Sequence, residues 1–145
     1  MTGLRGRWEI LRQQPLTICD TGHNSHGIQY VARQLRELEA RQVWIVFGMV
    51  NDKDTDVVMR LLPTTNDQRP TTYTYIFTRP DTQRARTTAE MLEMWQNAHP
   101  AADTRVVAIE DPKEAITYAV GHARKEDAVF IGGSNYLVAQ AITTI

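Results

Sequence analysis

The chain has 145 residues and a mass of 16.5 kDa, which suits a single domain of ordinary size. Its composition, with 42% hydrophobic and 23% charged residues, excludes a disordered tail and a collagen-like chain. Sixteen Lys and Arg against 17 Asp and Glu give a net charge of −1, so bulk charge indicates neither nucleic-acid nor anionic-membrane binding. The single cysteine, Cys19, excludes an internal disulfide and a cysteine-based zinc site.

Signals for a membrane or for export are missing from the sequence. No apolar run approaches the roughly 20 residues that a membrane-spanning helix needs. Residues 1–9 contain no apolar segment typical of a signal peptide. The default expectation is therefore a cytoplasmic location.

Short apolar runs alternate with amphipathic segments along the chain. Several runs are continuous, as in Val43–Phe47, and continuous runs are typical of strands covered on both faces. The predicted strands are Trp8–Leu11, Leu16–Cys19, Val43–Val50, Thr72–Thr78, Arg105–Ile109 and Ala128–Gly132.

Apolar residues at a spacing of three to four mark helices between these strands. Asp111, followed by Pro112 and Glu114, is a typical helix start. The apolar stripes run over Ile28–Leu38, Val57–Leu62, Ala85–Trp95 and Ala115–Ala123, a last short helix covers Asn135–Ile142, and loops cover Pro63–Pro70 and His99–Asp103.

Strand–helix alternation predicts an α/β fold with a mostly parallel sheet and helices on both faces. The gap Arg12–Pro15 is too short for a helical crossover, so the first two strands are expected to pair antiparallel. The predicted architecture is a Rossmann-like three-layer sandwich of about six strands with one antiparallel N-terminal strand. No composition break divides residues 1–145 into two domains.

Polar and titratable residues follow several predicted strands, where open α/β sheets bind their ligands. The segment Asp20–Gly27 is the densest of these. Asp20 could accept hydroxyl hydrogen bonds from a ribose, and His23 could bind an anion or relay a proton. Alternatively, Asp20 and Asn24 cap the helix that starts near Ser25, and His23 is a surface residue. His23 and His26 as a metal pair lack a third ligand in the sequence.

Other strand ends carry further candidates, each with a structural alternative. Lys53 could meet a phosphate, or pair with Asp52 or Asp54 at a helix start. Arg79 is held extended by the proline that follows it, or is a plain surface residue. The segment Gly132–Ser134 could present N–H groups to an anion, or simply supply a serine N-cap.

Two nucleotide-binding signatures are missing from the sequence. There is no G-x-x-x-x-G-K-[ST], so the chain has no phosphate-binding P-loop of its own. There is also no G-x-G-x-x-G, which argues against a dinucleotide-binding fingerprint.

Four segments in order resemble one enzyme family. These are Gly6–Glu9, Asp20–Asn24, Gly48–Asp54 and Gly132–Tyr136. Together they resemble the C-terminal domain of folylpolyglutamate synthase/dihydrofolate synthase, which shares its fold with the Mur ligase superfamily. The resemblance runs from about residue 6 to residue 142, nearly the whole chain.

The resemblance implies an ATP-dependent ligase that adds L-glutamate to folate or dihydropteroate through an acyl phosphate. It implies that Arg7, Asp20 and Asn24 contact the nucleotide, with Asp20 at the ribose. His23 would lie near the terminal phosphate or the incoming glutamate and act in catalysis. Ser134 and Tyr136 would line the glutamate side, while Asp52, Lys53 and Arg79 would make interdomain or phosphate contacts.

The resemblance also implies partners outside the chain. The P-loop and the Mg²⁺ ligands would lie in an N-terminal ATPase domain, so the sequence is expected to be a fragment with no ATP, Mg²⁺ or other metal bound by itself and no turnover alone. The expected partners are that domain and the small-molecule substrates, with neither nucleic acid nor membrane. Two alternatives remain: the corresponding domain of a peptidoglycan Mur ligase, and a non-catalytic nucleotide- or anion-binding module.

Overall fold

The computed structural model of the protein describes residues 6–52, 54–65 and 70–145. Its strands are β1 (Glu9–Gln13), β2 (Leu16–Asp20), β3 (Gln42–Phe47), β4 (Thr72–Phe77), β5 (Arg105–Ala108) and β6 (Ala128–Gly132). Its helices are α1 (Ser25–Glu37), α2 (Thr55–Leu61), α3 (Thr88–Ala98), α4 (Pro112–His122) and α5 (Asn135–Thr144). Lys53 and residues 66–69 of the predicted loop Pro63–Pro70 lie outside the described residues.

Within the described ranges, six strands form one sheet in the order β1-β2-β6-β3-β4-β5. The β1–β2 pair is antiparallel, with a register irregularity between Ile10 and Arg12, and all other pairs are parallel. The predicted α/β fold with one antiparallel N-terminal strand is therefore confirmed. The last strand of the chain, β6, lies between β2 and β3, which brings elements distant in sequence together.

Helices cover both faces of the sheet, because the strands are apolar on both sides. Val43, Ile45 and Phe47 face the same core as the buried residues of α1, α2 and α3. Trp44 and Val46 face a second core, which α4 and α5 cover. Strands buried on both faces require continuous apolar runs, which is the pattern the sequence shows. None of the helices in the described ranges combines the length and apolar character needed to cross a bilayer.

The third strand ends earlier than its apolar run predicts. It stops at Phe47 rather than Val50, and Val50 makes an isolated antiparallel bridge with Ala85. At Gly48, an added Cβ would lie 2.8 Å from Pro80 Cγ, so the chain turns there against Pro80 at a distance that a side chain would prevent. Val50 therefore pairs with the loop after β4 instead of continuing the strand.

The third helix begins later than its apolar stripe predicts. Thr87 is the N-cap: its hydroxyl accepts from Glu90 N, and Glu90 accepts from Thr87 N at 2.8 Å. This reciprocal capping box starts the helix at Thr88 and leaves Ala85 outside it. The backbone hydrogen bond from Thr87 lowers the pKa of the Glu90 carboxyl.

The first strand also begins later than predicted. It starts at Glu9 and not at Trp8, because the φ of Trp8 is 45°, which is not a strand conformation.

Asp127 is a buried carboxylate in the turn before β6. Its Oδ2 accepts from the Trp44 indole N–H at 3.1 Å and from Arg124 N at 2.9 Å. Asp127 is 6% exposed and Trp44 is 7% exposed, so water cannot readily replace this acceptor. The carboxylate therefore links β3 to the turn that starts β6.

We expect Asp127→Ala to lower the free energy of unfolding by about 1–3 kcal/mol, because the Trp44 indole N–H would be buried without an acceptor. Asp127→Asn keeps an acceptor oxygen and should cost less. Glu126→Ala, at the exposed neighbouring residue, should stay within about 0.5 kcal/mol. Urea denaturation of the chain measures all three, and equal losses for Asp127→Ala and Glu126→Ala would contradict the assignment.

Candidate functional site

The carboxyl ends of β2, β6 and β3 meet at one edge of the sheet. Gly132 is in register with Asp20 on one side and with Phe47 on the other. Gly48 N donates to Gly132 O at 3.2 Å, which continues the β3–β6 contact past the end of β3. The loops that follow these three strands therefore start side by side.

Gly133 allows this close approach. Its φ is +97°, a conformation that side-chain-bearing residues rarely adopt. A Cβ on Gly133 would overlap the carbonyl oxygen of Gly48 and come within 2.8 Å of the Phe47 ring. The glycine is thus explained by packing between strand ends, which is a structural reason independent of anion binding.

A cavity of about 240 Å³ opens where these loops converge. Residues from four loops or helix starts line it: the loops after β2, β3 and β4 and the start of α5. These lining residues are His23, Val50, Asp52, Thr82, Arg84, Ser134, Asn135 and Tyr136. Four of the residues singled out in the sequence, His23, Asp52, Ser134 and Tyr136, are therefore brought together.

The loop that carries His23 is anchored by Asp20. The Asp20 carboxylate accepts from Trp8 N at 2.8 Å and from Gly22 N at 2.7 Å. Thr21 N donates to Gly6 O at 2.6 Å. His23 itself is exposed, and its Nδ1 lies 3.3 Å from Thr21 O, within the same loop. The ring is therefore accessible while its backbone is held.

The capping alternative for this loop is half right. Asn24 is the N-cap of α1, and its Oδ1 accepts from Gly27 N at 2.9 Å. Asp20 does not cap α1, because its carboxylate is engaged with the backbone that precedes β1 and with Gly22. Instead, the Asp54 carboxylate reaches Ser25, the first residue of the helix.

Arg7 lies beside Asp20 but interacts with it only loosely. Arg7 Nε is 4.0 Å from Asp20 Oδ1, and the two side chains are 60% and 8% exposed. An ion pair with one partner this exposed contributes little to stability. The Arg7 guanidinium is therefore available to a ligand at the same sheet edge.

Ser134 and Tyr136 begin α5 at the cavity. The Ser134 hydroxyl accepts from Tyr136 N at 3.1 Å, so Ser134 is the N-cap of α5. Ser134 is 2% exposed, whereas Tyr136 is 54% exposed. The cap uses a lone pair of the hydroxyl oxygen and leaves its O–H able to donate.

Arg84 and Thr82 are cavity residues that sequence analysis missed, and Arg84 carries the charge. Its segment pairs with the segment after β3: Asn51 N donates to Arg84 O at 2.7 Å, and Val50 bridges Ala85. The Arg84 guanidinium also donates to Asn51 O at 3.3 Å. No local pattern predicts a contact between two loops this far apart in sequence.

Two other predicted residues are not part of this cavity. Arg79 is exposed and lines a neighbouring cavity of about 960 Å³, which shares Thr82 with the smaller one. Lys53 lies outside the described residues, so its position is not assigned. Asp52, which directly precedes Lys53, does line the smaller cavity.

Metal coordination has little support among the described residues. Within ranges 6–52, 54–65 and 70–145, no group of three or more His, Cys, Asp and Glu side chains is placed to hold an ion. The His26 ring meets the edge of Tyr30 at a centroid distance of 5.5 Å. The described residues instead form a small polar cavity lined by a guanidinium, an imidazole, hydroxyl groups and a carboxylate.

The chain belongs to the family described as Mur ligase, glutamate ligase domain, whose model matches residues 6–135. The family thus covers β1 through β6 and every cavity residue up to Asn135. The family match, together with the α/β fold, defines the class of this chain as this ligase domain.

Curated relatives include both folate enzymes and cell-wall enzymes. A probable bifunctional folylpolyglutamate synthase/dihydropteroate synthase of Halobacterium salinarum is 26% identical over 95% of this chain and 16% of that protein. The dihydrofolate synthase/folylpolyglutamate synthase of Escherichia coli is 26% identical over 98% of this chain and 31% of that protein. The UDP-N-acetylmuramoyl-L-alanyl-D-glutamate–2,6-diaminopimelate ligase of Caldanaerobacter subterraneus is 26% identical over 96% and 28%.

Solved structures of folate enzymes share the fold. Mycobacterium tuberculosis folylpolyglutamate synthase complexed with ADP and AMPPCP superposes with a TM-score of 0.78 at 22% identity, over 98% of this chain and 32% of that one. A bifunctional folylpolyglutamate synthase/dihydrofolate synthase with Mn, AMPPNP and L-glutamate bound gives 0.74 at 25% identity, over 97% and 31%. The chain thus spans about a third or less of the proteins it matches.

We expect Gly133→Ala to lower the free energy of unfolding by at least about 2 kcal/mol, because its positive φ and the Gly48 carbonyl both oppose a Cβ. Gly121→Ala is the matched control. Gly121 lies in α4 with nothing within 4 Å of an added Cβ, so alanine should stabilise the helix by up to about 1 kcal/mol. Thermal and urea denaturation measure both, and a neutral Gly133→Ala would contradict the packing argument.

Proposed function

We propose that this chain is the C-terminal domain of an ATP-dependent ligase that adds L-glutamate to folate or dihydropteroate. In this proposal, residues 1–145 form one domain that contributes nucleotide and glutamate contacts to a cleft shared with an N-terminal ATPase domain. The observation that supports it best is the small polar cavity between the strand ends, which combines Arg84 with His23, Asp52 and Tyr136. The folate enzymes among the relatives and solved structures agree with it.

The cavity suits an amino acid in size and charge. A volume of about 240 Å³ lies below the roughly 300–1,000 Å³ of typical ligand pockets, which agrees with a ligand of amino-acid size. The Arg84 guanidinium can bind a carboxylate in a bidentate fashion, and Asp52 offers an acceptor for an ammonium group. L-glutamate, which is bound in one of the solved relatives, carries both groups.

The nucleotide side of the cleft would be formed by Arg7, Asp20 and Asn24. A carboxylate accepts at about four positions, so the two backbone bonds of Asp20 leave capacity for ribose hydroxyls. Asn24 uses its oxygen for the helix cap, which leaves its NH₂ group as a donor. The exposed Arg7 would meet phosphate charge. Arg79, and Lys53 by its place in the sequence, would add interdomain or phosphate contacts, whereas Asp52, whose charge repels phosphate, would add an interdomain contact.

ATP would supply the phosphoryl group that turns the acceptor carboxylate into an acyl phosphate, and Mg²⁺, with ligands in the ATPase domain, would screen its charge. This chain's own residues would then act on glutamate. The Arg84 guanidinium and the Ser134 and Tyr136 hydroxyls would hold its carboxylates. The His23 imidazole would take the proton that turns the bound ammonium into the attacking amine, and the second proton, released as the C–N bond forms, would leave with phosphate as HPO₄²⁻. An enzyme that consumes ATP in this way would work in the cytoplasm.

A second candidate is the corresponding domain of a peptidoglycan ligase. It is favoured by the 26% identity to a 2,6-diaminopimelate ligase, which equals that to the folate enzymes. Acidic side chains in the larger cavity that shares Thr82, namely Asp81, Glu110, Asp111 and Glu114, would suit the distal ammonium of a diamino acid. Turnover with glutamate and a folate, against diaminopimelate and a muramyl acceptor, decides between the two.

We expect Arg84→Ala, made in the complete ligase, to raise KM for glutamate by about 10- to 100-fold, because a hydrogen bond to a charged group contributes about 1.5–3 kcal/mol. His23→Ala should lower kcat/KM for glutamate by more than about twofold, a loss above roughly 0.5 kcal/mol. Arg105→Ala, at the exposed amino end of β5, is the charge-matched control. Steady-state kinetics measure each, and an unchanged KM in Arg84→Ala would remove the carboxylate contact.

We expect Arg7→Ala to raise KM for ATP by about three- to tenfold with little change in stability, since an exposed charge interaction contributes about 1 kcal/mol. KM for glutamate should not change. The isolated chain should bind ATP weakly and show no ligase turnover. Micromolar ATP binding by the isolated chain, lost in Asp20→Ala, would instead support a non-catalytic nucleotide-binding module.

A further inference from the structure

We infer that Asp54 is a positioning residue of this site: its carboxylate joins the start of α2 to the start of α1 and thereby fixes His23 across the cavity from Arg84. The inference rests on the proposed function only where it concerns turnover. Asp54 does not line the cavity and is not proposed to touch substrate.

The Asp54 side chain does not serve its own helix. Asp54 occupies the N-cap position of α2, with φ −92° and ψ 3°, but makes no side-chain capping bond there. Its Oδ2 instead accepts from Ser25 N at 3.1 Å and from Ser25 Oγ at 2.9 Å. Both donors belong to the first residue of α1, where a helix has unpaired N–H groups and a positive dipole end.

Helix α1 does not depend on this carboxylate in order to form. Asn24 already caps it through Gly27 N, and its apolar face is buried in the core. The four buried residues of that face are Ile28, Val31, Ala32 and Leu35. Loss of the Asp54 carboxylate should therefore shift the start of α1 relative to the start of α2, and should lower the free energy of unfolding only slightly.

The first wall of the cavity is the His23 loop, which packs against the start of α1. An added Cβ on Gly27 would lie 3.1 Å from Gly22 Cα, so the His23 loop folds tightly onto the first turn of the helix. The hydrogen bond of the His23 ring goes to Thr21, within the loop. The loop is therefore anchored at both ends, by Asp20 on one side and by Asn24 together with the Ser25–Asp54 contact on the other.

The second wall is formed by the loop after β3 and the segment that carries Arg84, and Asp54 follows that loop in the sequence. Asn51 and Val50 pair with the segment that carries Arg84. Arg86, two residues further on, donates to the hydroxyl of Thr55 at 3.1 Å, next to Asp54. The Asp54–Ser25 contact consequently connects the wall that holds the imidazole to the wall that holds the guanidinium.

The first experiment uses the complete ligase with Asp54→Ala and the milder Asp54→Asn. Asp56→Asn is the control, because Asp56 is exposed in the first turn of the same helix and carries the same charge. We expect Asp54→Ala to lower kcat/KM for glutamate by about tenfold or more, with KM for ATP within twofold. Asp54→Asn should lose less, because its side-chain oxygen can still accept from Ser25, and Asp56→Asn should match the wild type.

A double-mutant cycle separates positioning from a general structural defect. If Asp54 acts through His23, then Asp54→Ala in a His23→Ala background should cost less than about twofold further. Ser25→Ala with Asp54→Ala should likewise be no worse than Asp54→Ala alone. Losses that simply multiply in the His23 background would overturn the inference.

A readout without catalysis keeps the inference separate from the proposed function. In the 145-residue chain, Asp54→Ala should shift the NMR signals of the His23 ring and speed hydrogen exchange at the Ser25 amide, while the His99 and His122 rings stay unchanged. Unchanged His23 signals and Ser25 protection would overturn the inference even in an active ligase. If the wild-type ligase did not use glutamate, the proposed function would be wrong. The His23 signals and the Ser25 exchange rate would still test the positioning role of Asp54.

Discussion

The ends of β2, β6 and β3 lie in contact. This contact is possible because Gly132 and Gly133 have no side chain. Gly132 and Gly133 pass between Asp20 on one side and the Phe47–Gly48 turn on the other, where any Cβ would collide with backbone or ring atoms. Three loops can then leave the sheet close enough to enclose a small polar cavity. The carboxylate anchor of the His23 loop and the serine cap of α5 lie at this same edge of the sheet.

The architecture could be predicted from the sequence because burial on both faces leaves a direct trace. Runs such as Val43–Phe47 and Ala128–Gly132 are apolar without interruption, and only a strand between two helical layers needs that pattern. The antiparallel start followed from the short Arg12–Pro15 gap. Element ends were predicted less well, since Val50 and Ala85 extend the apolar patterns of β3 and α3 but lie in loops that bridge each other.

The candidate site could be predicted only in part. His23, Asp52, Ser134 and Tyr136 follow parallel strands, whose carboxyl ends share an edge, so their grouping was foreseeable in outline. The insertion of β6 between β2 and β3 was not, because strand order depends on packing along the whole chain. Arg84 and the Asp54–Ser25 contact were missed for the same reason, and the ligand roles of all these residues remain predictions.

The two border strands of the sheet bear on how copies of this domain behave in solution. An unpaired strand edge is a template for adding another chain, and proteins blunt it with short or irregular borders. Here β1 is interrupted between Ile10 and Arg12, and β5 has only four residues and opens on the exposed Arg105. At high concentration, copies of the domain should therefore resist pairing edge to edge through β1 or β5, and growth into fibrils is disfavoured at both edges of the sheet.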